Sequence, residues 1–223
     1  MNIALIVFAG SGSRMSSIIP KQFIKINGHE LVAYTINVFN RHPLIDEIVL
    51  VTSKEYLAFT QQIVYSHDFR KVMAVVEGGE TRQASVRNGL NNTNFSKDDI
   101  VLIHDGDRPL IDDKIITNCL REMENSIACV AAIKSEDGLK EVHNLGRKVE
   151  VDGISYDIQT PQCFRYGYIK ELHNRFKDEV VNDDASLAEL DNNKVSFVEG
   201  SPKNFKITKD SDLNYLKTII GEY

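Results

Sequence analysis

The chain is poor in cysteine, carries no excess of positive charge and has no long hydrophobic run, and each shortage removes a class of protein. Its 3 cysteines in 223 residues, Cys119, Cys129 and Cys163, are odd in number and far apart in sequence. That pattern excludes a disulfide scaffold and a four-cysteine zinc site, and it fits reduced thiols in a cytoplasmic protein. With 26 Lys+Arg against 32 Asp+Glu, the net charge is −6. A chain whose main partner is a nucleic-acid backbone needs clustered cations that release counterions, so nucleic acid is not expected. The apolar run Ile3–Ala9 falls far short of the ~20 residues of a membrane span, and Gly10-Ser11-Gly12 interrupts it. The run also lacks the charged start and small-residue cleavage site of a secretory signal, and no membrane association is expected. Repeats, linkers and low-complexity tracts are absent too.

What is present is alternation. Short apolar, β-branched runs occur at Ile3–Ala9, Glu47–Thr52, Val72–Glu77, Ile100–His104, Ala128–Ile133 and Val195–Glu199. Runs without a polar face predict strands covered on both sides, as in parallel sheets. Helical spacing fills the gaps at Leu31–Asn40, Glu55–Ser66, Ala84–Leu90 and Asp112–Glu124. The chain therefore reads as one α/β domain, 1–223, doubly wound around a mostly parallel sheet, with ligands expected beyond the carboxyl ends of the strands. The polar segment Glu136–Asp157 breaks the pattern. Two alternating stretches, Leu139–His143 and Lys148–Ile154, flank a turn-like Asn144-Leu145-Gly146, and predict a hairpin arm. An isolated hairpin is marginal in water, so a second copy of the chain is its simplest support.

The unusual residues follow the strand runs. Ala9-Gly10-Ser11-Gly12-Ser13-Arg14 and then Pro20-Lys21-Gln22-Phe23 put free backbone amides and two cations after the first strand, which suits a triphosphate. A dinucleotide fingerprint would need a third glycine where Met15 stands and an acidic residue closing the second strand, which ends Thr52-Ser53-Lys54, so a nicotinamide oxidoreductase does not fit. A glycine turn with solvated cations is the plainer reading. The Gly78–Leu90 segment can read the edge of a base through its backbone and Ser85, or be a capped strand–helix loop. His104-Asp105-Gly106-Asp107-Arg108 places a carboxylate at a strand end, where Mg²⁺ binds one or two carboxylates plus phosphate oxygens; a structural Asp–Arg turn is the alternative. His104 itself reads as a packed histidine. Asp183-Asp184 can cap a helix or belong to a site, and Lys206 is either a third converging cation or a solvated one. No Ser–His–Asp or Cys–His set is evident.

Taken in order, AGSGSRM, PKQF, GGETRQASVRNGL, HDGDRPL, QTPQCF, NDDASLAEL and NFKIT resemble the cytidylyltransferases that join CTP to a polyol phosphate, the methylerythritol-phosphate and ribitol-5-phosphate enzymes. The resemblance runs from residue 3 to about residue 216. It implies a Rossmann-like fold, Mg²⁺ as cofactor, CTP and a polyol or sugar phosphate as ligands, and a homodimer joined through the arm. By residue, it implies a triphosphate loop at Gly10, Ser11, Gly12 and Ser13 and catalytic cations at Arg14, Lys21 and Lys206. Cytosine recognition falls on Ala9, Gly79, Glu80 and Ser85, and the metal-linked carboxylate, also nucleotide-binding, is Asp105. Arg108 and Lys140 become acceptor contacts. Two departures touch the acceptor phosphate. The family's arm Thr is replaced by Gly138, and its Arg, eight residues before Thr160-Pro161-Gln162, is replaced by Asp152. Arg147, Lys148 or Lys140 can substitute. PKQF leans slightly toward ribitol 5-phosphate as acceptor and GGETRQASVRNGL the other way, with 2-C-methyl-D-erythritol 4-phosphate or another sugar or polyol phosphate as the alternatives. A non-catalytic nucleotide-binding homologue is the remaining competitor.

Overall fold

A computed structural model describes residues 1–10, 19–135 and 147–221. In chain order the strands are β1 (Asn2–Val7), β2 (Lys25–Ile26), β3 (His29–Glu30), β4 (Glu47–Thr52), β5 (Val72–Glu77), β6 (Ile100–Asp105), β7 (Ala128–Lys134), β8 (Lys148–Val151), β9 (Ile154–Arg165) and β10 (Ser196–Glu199). The α-helices are α1 (Leu31–Arg41), α2 (Leu57–Ser66), α3 (Arg82–Asn91), α4 (Asp113–Glu122), α5 (Tyr166–Arg175), α6 (Asp184–Leu190) and α7 (Asp210–Gly221).

The central sheet runs β10-β7-β9-β6-β1-β4-β5. β1 pairs in parallel with β4 and β6, β4 with β5, and β10 with β7, while β9 lies antiparallel between β6 and β7. The predicted strand runs all form strands of this sheet. β1 and β4 bury five of six residues each because helices cover both faces. One layer packs α1, α2 and α4 on the sheet through Ile36, Phe39, Ile63 and Ile116, and the other packs α3, α5 and α6 through Val86, Leu90, Ile169 and Leu187.

Two expectations change. The predicted Glu55–Ser66 helix begins as a 3-10 turn over Lys54–Tyr56 before α2. The hairpin differs more. Leu139–His143, Asn144–Gly146, Gly138 and Lys140 lie outside the described residues. Lys148–Ile154 is not one strand: β8 ends at Val151 and Ile154 opens β9, antiparallel to it. The reversal is Asp152-Gly153, both with positive φ (52° and 76°), the two-residue turn that Asp-Gly favours because glycine meets no Cβ penalty there. β9 itself carries no apolar run. Gln159, Thr160 and Gln162 are buried along it, and Pro161, which has no N–H to give, sits where the β7–β9 register shifts.

Phe39 is fully buried and its ring lies 5.1 Å from that of His104, at the carboxyl end of β6. Phe39→Ala is expected to cost about 3–5 kcal/mol, read as a lower denaturant midpoint at unchanged slope in urea unfolding.

Candidate active site

The carboxyl ends of β1, β5 and β6 open into a cavity of about 510 Å³. Ala9 and Gly10 line it from the β1 exit, Gly79, Glu80, Arg82 and Ser85 from the β5–α3 loop, and Asp105 and Asp107 from the end of β6. Lys21, Lys206 and Thr208 close it from two further segments.

Local hydrogen bonding explains why each loop lies where it does. Gln22 Nε2 donates to the carbonyls of Phe8 and Gly10, at 2.9 Å each, so the Lys21–Phe23 turn is tied to the exit of β1. Phe23 anchors the turn from below, stacked on Tyr56 with ring centroids 4.6 Å apart. In the β5–α3 loop, Thr81 caps α3 by accepting from Ala84 N–H (3.0 Å). Ser85 Oγ donates to Thr81 O (2.8 Å) and accepts from Gly79 N–H (3.0 Å), so its hydroxyl fixes the loop. Gly78 is needed for close approach: a Cβ there would stand 2.4 Å from Ala9 Cβ.

The electrostatic centre is Asp105, the last residue of β6. Its carboxylate takes Arg82 Nε at 2.9 Å on one oxygen and Lys206 Nζ at 3.0 Å on the other, with Arg108 Nε 3.6 Å away. Burial alone would raise its pKa, but Lys206, Arg82 and Arg108 together hold it well below the usual carboxylate range. Asp107 pairs with Lys21 (2.5 Å) and stands 3.9 Å from Lys206. Lys21 also donates to Ile207 O at 2.5 Å. Two of the three predicted cations thus meet at Asp107, although most of the sequence lies between them. Arg14, Ser11, Gly12 and Ser13 lie outside the described residues.

Three layers of support were not legible beforehand. Arg82 bridges Asp105 to Asp184 (2.8 Å), whose other oxygen takes His173 Nε2 at 3.0 Å in a fully buried pair. Burial pushes Asp184 upward, and Arg82 and His173 outweigh it, so its pKa is lowered. Thr160 Oγ1 accepts from Asp105 N–H (3.1 Å) and donates to His104 Nδ1 (3.0 Å), which leaves His104 Nε2 to donate to Arg108 O (3.2 Å). His104 is therefore the packed histidine expected, and burial above all brings its pKa down to about 4. Asn204 accepts from Arg108 at its carbonyl (2.8 Å) and donates to Thr160 O (2.8 Å), fastening the segment that carries Lys206.

A smaller cavity of about 100 Å³ adjoins the first, and Arg82, Asp105 and Lys206 line both. Arg108, Arg147 and Asp183 line only the second. Arg147, just before β8, bonds Asp183 (3.2 Å), Ser186 (2.9 Å) and Glu189. Asp183 also caps α6, accepting from Ser186 N–H at 2.9 Å. Asp152 sits in the exposed hairpin turn and is absent from both cavities. Lys148 faces Ser135 and Asp157 instead.

Comparison with known proteins agrees with this architecture. The family described as "IspD: 2-C-methyl-D-erythritol 4-phosphate cytidylyltransferase" matches residues 2–222. A protein of that name from Clostridium acetobutylicum is 42% identical, with 99% of this chain and 97% of the relative covered. One from Clostridium kluyveri is 39% identical over 98% and 96%. Among solved structures, the 4-diphosphocytidyl-2C-methyl-D-erythritol synthase of Anaerococcus prevotii superposes with a TM-score of 0.80 at 27% identity, covering 99% of this chain and 96% of that one. The Thermus thermophilus cytidylyltransferase gives 0.73 at 26%, with 98% of each covered. Fold and relatives together define a nucleotidyltransferase enzyme of the cytidylyltransferase class. Within that class, the chain belongs to the 2-C-methyl-D-erythritol 4-phosphate cytidylyltransferase family. The lean toward ribitol 5-phosphate is thereby corrected, because family and relatives alike carry the methylerythritol name. The PKQF motif that suggested it is used here for turn packing through Gln22 and Phe23. Among the described residues, no helix is long and apolar enough to cross a membrane.

A histidine kept neutral by folding binds fewer protons than its unfolded counterpart between the unfolded pKa, about 6.5, and the folded one, about 4. Stability then falls as pH drops through that window. His104→Gln is expected to make the pH 4–6.5 slope of unfolding free energy shallower by up to one proton, measured by urea titrations at successive pH values.

Proposed function

We propose that the protein transfers the cytidylyl group of CTP to 2-C-methyl-D-erythritol 4-phosphate, releasing pyrophosphate. The observation that carries this reading is the meeting of Lys21 and Lys206 at Asp105 and Asp107, beside a cavity floored by the Gly10 and Gly79 backbones. The cavity has the size of a small-molecule site, and its cations suit a polyphosphate. The names of the relatives supply the cytidylyl group and the acceptor.

The reaction is an in-line displacement. An oxygen of the acceptor phosphate attacks the α-phosphorus of CTP, the bond to the β-phosphate bridging oxygen breaks, and pyrophosphate leaves. Lys21, Lys206 and Arg14 stabilise the charge that builds on the phosphorus oxygens, while the protein otherwise works by positioning. Ala9, Gly79 and Glu80 present their edges to cytosine, with Ser85 shaping that loop. The triphosphate takes the amides of 10–13 and displaces the lysines from their carboxylates.

The donor set suits a divalent cation. Asp105 and Asp107 both face the cavity, and Asp107 Oδ1 is buried without a hydrogen-bond partner. Once a triphosphate recruits Lys206, an Asp105 oxygen is free, and one or two carboxylates plus phosphate oxygens is the set Mg²⁺ takes. Bound there, Mg²⁺ supplies charge neutralisation of the phosphates.

Arg147 supports the acceptor half. It reaches the smaller cavity beside Arg108 and Lys206, so a cation faces the acceptor phosphate although Asp152 replaces the family arginine. Lys140 and a homodimer joined through the arm at 136–157 belong to the same reading.

Three measurements test this. With CTP and Mg²⁺, pyrophosphate release is expected with methylerythritol 4-phosphate at kcat/KM at least about 100-fold above ribitol 5-phosphate. The reverse order sinks the acceptor, and silence from every polyol phosphate sinks the enzyme. Lys21→Ala and Lys206→Ala are each expected to lower kcat by roughly 10²–10³; parental turnover in either removes that residue from the charge-stabilising set. Arg147→Ala is expected to raise the acceptor KM about tenfold or more with little change for CTP, and an equal effect on both substrates contradicts its placement at the acceptor.

A further inference from the structure

The three cysteines, remote in sequence, meet in space. Cys119 comes from α4, Cys129 from β7 and Cys163 from β9, where Cys129 and Cys163 are direct cross-strand partners. All three are free, fully buried members of the larger hydrophobic core. Their Sγ atoms lie within 4.8 Å of one another. Three sulfurs bound in a shallow pyramid at about the 2.3 Å of a metal–thiolate bond stand about 3.5 Å apart. The cluster therefore needs side-chain adjustments of less than an ångström or so to close around a central atom.

The surroundings select which atom. The cluster shares its core with aliphatic neighbours such as Leu102, Ala131 and Met123, and such a medium penalises uncompensated charge severely. Three thiolates around a monovalent or divalent ion leave net negative charge in that core. Three thiolates around a trivalent centre leave none. Softness agrees, because an all-sulfur donor set prefers thiophilic elements. We propose that Cys119, Cys129 and Cys163 form a three-coordinate, all-sulfur site for a trivalent thiophilic metalloid, with arsenous acid as its probe. In the binding step three S–H bonds and three As–OH bonds break, three As–S bonds form, and three waters leave, with no change of oxidation state. The ligand reaches the core when the sheet opens or while the chain folds. Once seated, it staples α4 to β7 and β9.

The test uses the full chain, reduced with a phosphine, with arsenite added both to native protein and during refolding from urea. Native mass spectrometry of the refolded sample is expected to show one adduct per chain with a gain of about 72 Da, one arsenic for three thiol protons. X-ray absorption of that adduct should report three sulfur neighbours, and Tm should rise by roughly 5–10 °C at a hundredfold excess over Kd. Cys119→Ala, Cys129→Ala and Cys163→Ala should each lose the third sulfur. The proposal is overturned by no adduct after refolding, by two sulfur neighbours in the unaltered chain, by a Tm that falls on loading, or by retention of zinc in preference to arsenic. The absorption measurement needs no variant, so it decides the matter even if an alanine variant fails to fold.

Discussion

One buried carboxylate organises the site. Asp105 stands at the end of a strand whose neighbours are all covered, and taking its charge out of water costs several kcal/mol unless cations answer it. Arg82, Arg108 and Lys206 do so from three separate stretches of chain. The pairing works in both directions. The anion keeps three like charges within a few ångströms of one another, and the cations keep the anion ionised where burial would protonate it.

Around that centre the contacts form an alternating chain: His173, Asp184, Arg82, Asp105, Lys206, Asp107, Lys21. Such a network is stiff, because moving one member unpairs the next. At one end Lys21 and Lys206 hold carboxylates that line the open cavity. His173 and Asp184, at the other end, are sealed from solvent and serve as the fixed abutment.

The strand runs were legible because strands buried on both faces are written in unbroken apolar residues, and the sheet assembled from them as expected. Asp105, Lys21 and Lys206 were legible because they follow those runs or interrupt apolar patterns. β9 was not. Its buried Gln159, Thr160 and Gln162 look like loop residues, and they are tolerated inside only because each finds a specific partner, such as Ser201 O, Asp105 N–H or Ala185 N–H. Arg82 lay inside a recognised motif, yet nothing local distinguishes an arginine that bridges two distant aspartates from one that faces water. The reversal between β8 and β9 was readable from Asp152-Gly153, a strong turn pair, while the turn expected at Asn144-Leu145-Gly146 lies outside the described residues. The cysteine cluster is a product of topology alone, since β9 turns back between β6 and β7 and no spacing in sequence signals that.

Asp183 and Asp184 are joined by a single peptide bond, yet they serve opposite parties: the first grips Arg147 just before β8, the second steadies Arg82 against the larger cavity. The start of α6 therefore behaves as a common hinge pin. A change at this junction is therefore felt on both sides at once, in the hold on Arg147 and in the support of Arg82.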